Sequence, residues 1–322
     1  MQEIRITDIE HFKIGQAEDR ASGTGCTVLL CPDGAAAGLD VRGGGPASRE
    51  SELLRPVAAA EKIHAVLLSG GSAFGLDAAG GVMRWLEERG VGFDTGVAKV
   101  PLVCASCLYD LTVGSCTTRP DAALGYAACE GAAAGNYQDG CFGVGTGASV
   151  GKYYGTEQAM KTGIGSYAVQ LGELKVGAVV AVNALGDVFD WKDGRQVAGL
   201  LAADQSGFLR TEAEMYRHTQ IVKNKFVGNT TIGAVLTNAC FSKTEMNKIA
   251  AMAQNGLVRA IRPVNTTADG DSLYALSAGS LEADLDVVGT LAAQVVAEAI
   301  LRAVSSATSS YGLIARRDLP WA

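Results

Sequence analysis

The chain has 322 residues, 48% of them apolar and 19% charged, and carries a net charge of −7 at neutral pH. A chain of this length buries roughly three quarters of the surface its unfolded form exposes, so a large core is available without disulfide staples. The acidic balance, the lack of any basic run longer than a pair and an aromatic content of 6% argue against a nucleic-acid or anionic-membrane partner, since both call for clustered Lys and Arg.

In chain order, Met1 to Phe12 mixes acids with its apolar residues and shows no secretory signal, so a cytoplasmic location is expected. Cys26 to Leu30 and Ala35 to Val41 read as two strands joined by a Pro32-Asp33-Gly34 turn. Ala65 to Leu68 reads as a buried strand, and Leu76 to Arg89 as a helix stopped by Gly90. Lys175 to Val182, followed by Asn183, is another strand. Residues 204–229 change texture, mixing charges of both signs with few apolar residues, as an exposed linker would. The chain then switches to a strand at Thr231 to Leu236 and a helix at Glu245 to Ala260 with Met246, Ile249, Ala253 and Leu257 on one face. Val287 to Val304 is long and apolar enough to span a membrane, but Gln294, Glu298 and Arg302 recur at four-residue spacing, which predicts a buried helix with one polar stripe. The interleaving of strands and helices predicts a layered α/β or α+β architecture.

Eight cysteines in a long chain without an export signal are expected to be reduced thiols. Cys104 and Cys107 form a C-x-x-C with no second pair and no nearby His, so packing rather than metal is expected. His11, His64 and His218 are scattered through the chain.

Four segments are candidates for chemistry. The Gly-rich stretch from Ser69 to Ala79 lacks the Lys-Ser/Thr of a P-loop and reads as a structural turn or as a wall of a substrate pocket. Gly147 to Lys152 places Lys152 beside small residues, where partial desolvation makes a lysine a better proton acceptor, although most lysines are solvated. Asn229-Thr230-Thr231 lies where the linker meets a strand. An amino-terminal Thr brings its own base in the freed α-amine, provided that the Thr230 hydroxyl first attacks the Asn229 carbonyl; the plain alternative is an ordinary strand start. Asp269-Gly270-Asp271 puts two carboxylates around a glycine, able to share a proton, hold an ammonium group or orient a hydroxyl, or to be a solvated turn.

Taken together, GTGCTVLLCPDGAAAGLDVRGGGPASRE, HAVLLSGGSAFGLDAAGGVMRWLEERG, GTGASVGK, VAVNALGDV, GNTTIGAVLTNA and TTADGDS, in that order, resemble the L-aminopeptidase/D-esterase family, which includes the β-peptidyl aminopeptidases and the nylon-oligomer endohydrolases. The resemblance implies a four-layer α/β/β/α sandwich of the DmpA and ornithine acetyltransferase type. It also implies one Ntn-like hydrolase domain over residues 1–322, self-cleaved into 1–229 and 230–322 that stay associated, often within a homotetramer. By position, Thr230 matches the nucleophile, Asn229 the residue before the cut, Lys152 the family lysine and Asn183 the amide that polarises the carbonyl. Asp269 and Asp271 match the acidic pair of the nylon-hydrolase branch, whereas the aminopeptidase branch usually carries Ser as nucleophile. VCASCLYDL departs from the proline-bearing version of that segment, at a pocket wall.

The activity so implied is hydrolysis of a small peptide or amide through an acyl-enzyme, with no metal or organic cofactor, no nucleic acid and no membrane. An acyltransferase and a non-catalytic scaffold on the same fold are the rival readings. The choice among α-peptide, β-peptide and cyclic or synthetic amide substrates stays open at this level.

Overall fold

Period-two alternation along the valine- and alanine-rich segments decides which neighbour each strand face meets. The computed structural model describes residues 1–218 and 228–321. Its strands are β1 (Gln2–Ile4), β2 (Lys13–Asp19), β3 (Thr24–Val41), β4 (Ala47–Arg49), β5 (Ile63–Ser69), β6 (Phe93–Asp94), β7 (Lys99–Val100), β8 (Val103–Cys107) and β9 (Ser149–Val150). They continue with β10 (Met160–Lys161), β11 (Ile164–Leu171), β12 (Leu174–Asn183), β13 (Asp187–Phe189), β14 (Gln196–Ala198), β15 (Thr230–Ala239), β16 (Ile261–Arg262), β17 (Ser272–Leu281) and β18 (Ile314–Ala315). The helices are α1 (Ala78–Glu87), α2 (Ala122–Ala134), α3 (Thr211–Arg217), α4 (Lys243–Ala260) and α5 (Leu285–Ser306).

Strand pairing runs β1-β11-β12-β15-β17-β3-β5-β8-β4, with β2 added alongside β3. β3 belongs to both halves of this path: residues 24–30 pair with β2, residues 26–30 with β5, and residues 36–41 with β17. The expected Pro32-Asp33-Gly34 turn is therefore no hairpin. It is an irregularity inside one long strand, where the register against β5 jumps between Leu30 and Ala35 and the chain passes from one sheet to the other.

Three apolar layers separate four layers of structure. Val176, Ala178, Val180 and Val182 of β12 and Val235 of β15 face α4 and α5. Their alternates Val179, Ala181, Ile232, Ala234 and Leu236 meet Leu29, Val66, Leu68 and Cys104 of the other sheet. The outer face of that second sheet, with Cys26, Val28, Leu30, Ala65 and Leu67, is covered by α1 and α2. The result is the α/β/β/α sandwich.

The expected helical faces are the buried ones. Met246, Ile249, Ala253 and Leu257 are fully buried on α4, which opens on a Ser242/Glu245 capping box. α4 sits so close to β3 that a Cβ at Gly38 would lie 2.2 Å from Asn247 N. α5 is long and apolar enough to cross a membrane, yet 67% of that stretch is buried against its neighbours in the fold. Its polar stripe is tied down, Arg302 to Glu3 at 2.8 Å and Glu298 to Lys192.

Where it is described, at 204–218 and 228–229, the segment expected to be an exposed linker is more ordered than its composition suggests. Within it α3 forms, with Thr211 and Glu214 buried, and Gly228 and Asn229 are buried as well; residues 219–227 lie outside the described residues. The carboxylate of Asp187 holds the start of α3, accepting from Thr211 N at 2.7 Å, Thr211 Oγ1 at 2.8 Å and Leu200 N at 2.8 Å.

Candidate active site

β15 begins at Thr230, which pairs in register with Asn183 at the end of β12. Directly opposed residues of an antiparallel pair share a face with Cβ atoms about 4.5–5.5 Å apart. Alternation places both side chains on the inter-sheet side, Thr230 in line with Ile232 and Asn183 with Ala181. Thr230 is 5% exposed. Its hydroxyl donates to the carbonyl of Asn229, the residue before it. The same carbonyl accepts the Gly270 N–H at 2.9 Å. Gly270 comes close enough to do this only without a side chain, since a Cβ there would stand 2.8 Å from Thr230 Oγ1.

Lys152 reaches the same point from the turn after β9 and is 1% exposed. Gly151, at φ +73°, makes that turn; a Cβ on it would stand 2.1 Å from Gly199 C. The Lys152 Nζ donates to Asn183 Oδ1 at 2.8 Å, Asn183 O at 2.9 Å and Gly228 O at 2.9 Å. An ammonium has three hydrogens and no lone pair, so these three acceptors use it completely. Burial lowers the Lys152 pKa to about 7, against the opposing pull of Asp269, Asp110 and Asp271.

The Asn183 side chain is oriented from both ends. Its Oδ1 accepts from Lys152 and from Ser149 N at 3.1 Å, and its Nδ2 donates to Tyr109 O at 2.9 Å and towards Gly228 O at 3.4 Å. Lys152 Nζ and Asn183 Nδ2 thus converge on one carbonyl oxygen, that of Gly228.

Asp269 and Asp271 are each 1% exposed, so of the two readings of this turn the solvated one gives way to the buried acidic pair. Asp271 accepts from Thr231 N at 2.6 Å and Asn265 N at 2.9 Å, and Asp269 from Thr266 N at 2.8 Å. Burial, and then the charge of Asp269, push the Asp271 carboxyl upward. The second Asn-Thr-Thr, at Asn265 to Thr267, is part of this same turn, which a parallel bridge between Asn229 and Asp269 ties to the head of β15. In the intact chain the acids bind backbone N–H groups, while the Thr230 hydroxyl is turned to Asn229.

Five residues from distant parts of the sequence, Lys152, Asn183, Thr230, Asp269 and Asp271, are therefore brought together with Asn229. Two more that the sequence did not single out join them: Tyr109 through its carbonyl, and Asp110, whose charge is felt by Lys152. Other candidates fall elsewhere. Cys104 and Cys107 are buried in β8, and burial pushes the Cys104 thiol up to about 12. No group of three metal-ligating side chains occurs among the described residues. Three cavities of about 570, 350 and 300 Å³ are lined by none of the five site residues.

The sequence model of peptidase family S58 matches residues 5–317. This chain belongs to family S58. It is 40% identical to an uncharacterized aminopeptidase of Mycobacterium leprae, over 96% of this chain and 92% of that one. It is 33% identical to a 6-aminohexanoate-oligomer endohydrolase of Agromyces sp., over 92% of this chain and 84% of that one. Among solved structures, the S58 fold seen here matches the L-aminopeptidase D-Ala-esterase/amidase of Ochrobactrum anthropi with a TM-score of 0.69 at 17% identity, covering 94% of this chain and 86% of the other. A β-aminopeptidase of Burkholderia sp. gives a TM-score of 0.68 at 18% identity, covering 100% and 96%. The fold is the Ntn-hydrolase variant of the DmpA type, and this S58 member is a hydrolase of peptide-like amide bonds.

Proposed function

We propose that this hydrolase cuts its own backbone between Asn229 and Thr230 and then uses Thr230 as an amino-terminal nucleophile on amide substrates. The observation that carries the reading is the buried register pair Thr230–Asn183, with the Thr230 hydroxyl on the Asn229 carbonyl. In the first reaction Thr230 Oγ bonds to the Asn229 carbonyl carbon, the Asn229–Thr230 C–N bond breaks, and the proton given up by the hydroxyl passes to the freed nitrogen. Water then opens the ester, leaving a carboxylate on Asn229 and a free amine and hydroxyl on Thr230. The Gly270 N–H, 2.9 Å from the scissile oxygen, is placed to stabilise the oxyanion of this step.

In turnover, departure of the linker vacates the position of the Gly228 carbonyl, and a substrate carbonyl oxygen takes its place between Asn183 Nδ2 and Lys152 Nζ. A single preorganised donor of this kind contributes about 3 kcal/mol to barrier lowering. The Thr230 amine or Lys152 takes the hydroxyl proton. A lysine with a pKa near 7 is suited to that transfer, because a base works best when its pKa lies near the working pH. Asp269 and Asp271 hold the head of β15 and balance the charge of the amines beside it. The substrate C–N bond breaks as its amine leaves with the proton taken from the Thr230 hydroxyl, and water then clears the acyl-enzyme to give the free acid. The Thr nucleophile and the Asp-Gly-Asp turn favour a substrate of the kind named for the oligomer endohydrolase of Agromyces sp. over that named for the aminopeptidases. A cytoplasmic homotetramer of cleaved chains is the assembly that goes with this reading.

Denaturing mass spectrometry tests the proposal directly. Fragments 1–229 and 230–322 are expected from the wild type, an intact chain from Thr230→Ala, and normal cleavage from Thr266→Ala. A wild-type chain that stays whole on prolonged incubation, or a new terminus at Thr266, would overturn it.

A further inference from the structure

The segment that brings Tyr109 to Asn183 is held by a carboxylate one residue further along. Asp110 is 2% exposed. Both of its oxygens are engaged, Oδ2 accepting from the Thr24 hydroxyl at 2.7 Å and Oδ1 from the Gly71 N–H at 2.7 Å. Burial pushes this carboxyl above the usual carboxylate range, against the pull of those bonds and of the Lys152 charge. An ionised acid in such a place is costly unless its contacts are fully made.

Three loops are shaped around it. The turn at Ser69–Ser72 runs along the same segment, with Leu108 N donating to Ser69 O at 2.8 Å and Ser72 N to Leu108 O at 2.9 Å. Gly71 and Ser72 are both left-handed, at φ 80° and 55°, within the turn that presents the Gly71 N–H to the carboxylate. A Cβ on Gly70 would stand 2.1 Å from Asp110 Oδ2, and one on Gly147 would stand 2.6 Å from Asp110 Cβ. The Gly-rich stretch after β5 thus serves this acid. On either side of Asp110 lie the two backbone groups that orient Asn183: the Tyr109 carbonyl on Nδ2 and, two residues after Gly147, the Ser149 N–H on Oδ1.

We propose that Asp110 is a positioning residue for the Asn183 amide: by tying the Thr24 and Gly71 loops to residues 108–113, it fixes the Tyr109 carbonyl that takes one Nδ2 hydrogen and so aims the other at the reacting carbonyl oxygen. This rests on the assignment above of Asn183 as the oxyanion donor. Removal of the carboxylate lets the Tyr109 carbonyl drift, and the amide loses its aim while substrate contacts elsewhere persist.

The test is a double-mutant cycle on turnover of amino-acyl 4-nitroanilides and 6-aminohexanoate oligomers, run at a pH well above the Lys152 pKa so that the charge Asp110 exerts on Lys152 does not enter the comparison. Asn183→Ala is expected to lower kcat about 10²-fold, and Asp110→Ala about 10-fold or more with KM nearly unchanged. The double variant should be no slower than Asn183→Ala alone, because a residue that acts only through Asn183 has nothing left to act on. Asp110→Asn can still accept from Gly71 and donate to Thr24, so it should restore kcat to within about threefold of wild type. It also serves as the folded control where Asp110→Ala is unstable. Losses that multiply in the double variant, or a folded Asp110→Asn as slow as Asn183→Ala, would overturn the positioning role. An Asn183→Ala enzyme with undiminished kcat would instead bring down the oxyanion assignment itself.

Discussion

Lys152 takes a positive charge into a place closed to water, and its three acceptors, all oxygens of Asn183 and Gly228, are what make that tolerable. Lys152→Ala should slow both self-cleavage and turnover about 10²-fold or more, measured by the rate of appearance of the 230–322 fragment and by kcat. Equal rates in both assays would return the lysine to a structural role. The surrounding acids give a signed pH effect. Asp269 and Asp271 raise the Lys152 pKa, so Asp269→Asn or Asp271→Asn removes a charge that favours the ammonium. If turnover needs the neutral amine, activity rises with pH through a limb near the Lys152 pKa of about 7. In either variant that limb should move to lower pH in a kcat/KM profile. A move to higher pH would mean that the titrating base is not the lysine. At this scale the sequence was readable wherever a motif isolates a residue, as GTGASVGK isolates Lys152. Asp110 was not legible, because nothing in LYDL says which loops will close on it.

Among the elements, α2, filled with Ala and Gly, offered too little contrast to be read, while β5, β12 and β15 announced themselves as short apolar runs, α4 through its one-sided apolar face and α5 through its polar stripe. The bend in β3 did not, since Pro-Asp-Gly is equally the signal of a hairpin; only the pairing of residues 26–30 with β5 and of 36–41 with β17 separates the two. α3 was hidden for a different reason. Its helix is short and polar, and its anchor is tertiary, the Asp187 carboxylate reached from more than twenty residues away. Asp187→Ala should leave the Thr211 and Leu200 N–H groups without their acceptor and cost about 1–3 kcal/mol. Urea unfolding reads the loss, and hydrogen exchange should show faster exchange within Thr211–Arg217 than in β15. Unchanged protection of α3 would mean that Asp187 does not hold it. α4 offers an opposite test: Gly38→Ala forces a methyl against the Asn247 backbone and should destabilise by about 1–3 kcal/mol through overpacking, with Tm as the readout.

At the scale of the whole molecule, residues 230–322 supply β15 and β17, which sit between β12 and β3 in the middle of the strand order, together with α4 and α5 over that sheet. Cleavage at Thr230 would therefore not release a part. The two fragments should co-elute in native size-exclusion chromatography and separate only in denaturant, and either one expressed alone should fail to fold; separation under native conditions would contradict this interdigitation. The residues around Thr230 come from positions 152 and 183 on one side of the cut and 269–271 on the other. The scissile bond is thus surrounded only after both halves have assembled, which makes the proposed cut a clock for folding. A newly made chain that misfolds would stay in one piece and stay inactive, so the ratio of cleaved to intact chain in a cell would count the molecules that reached the native state.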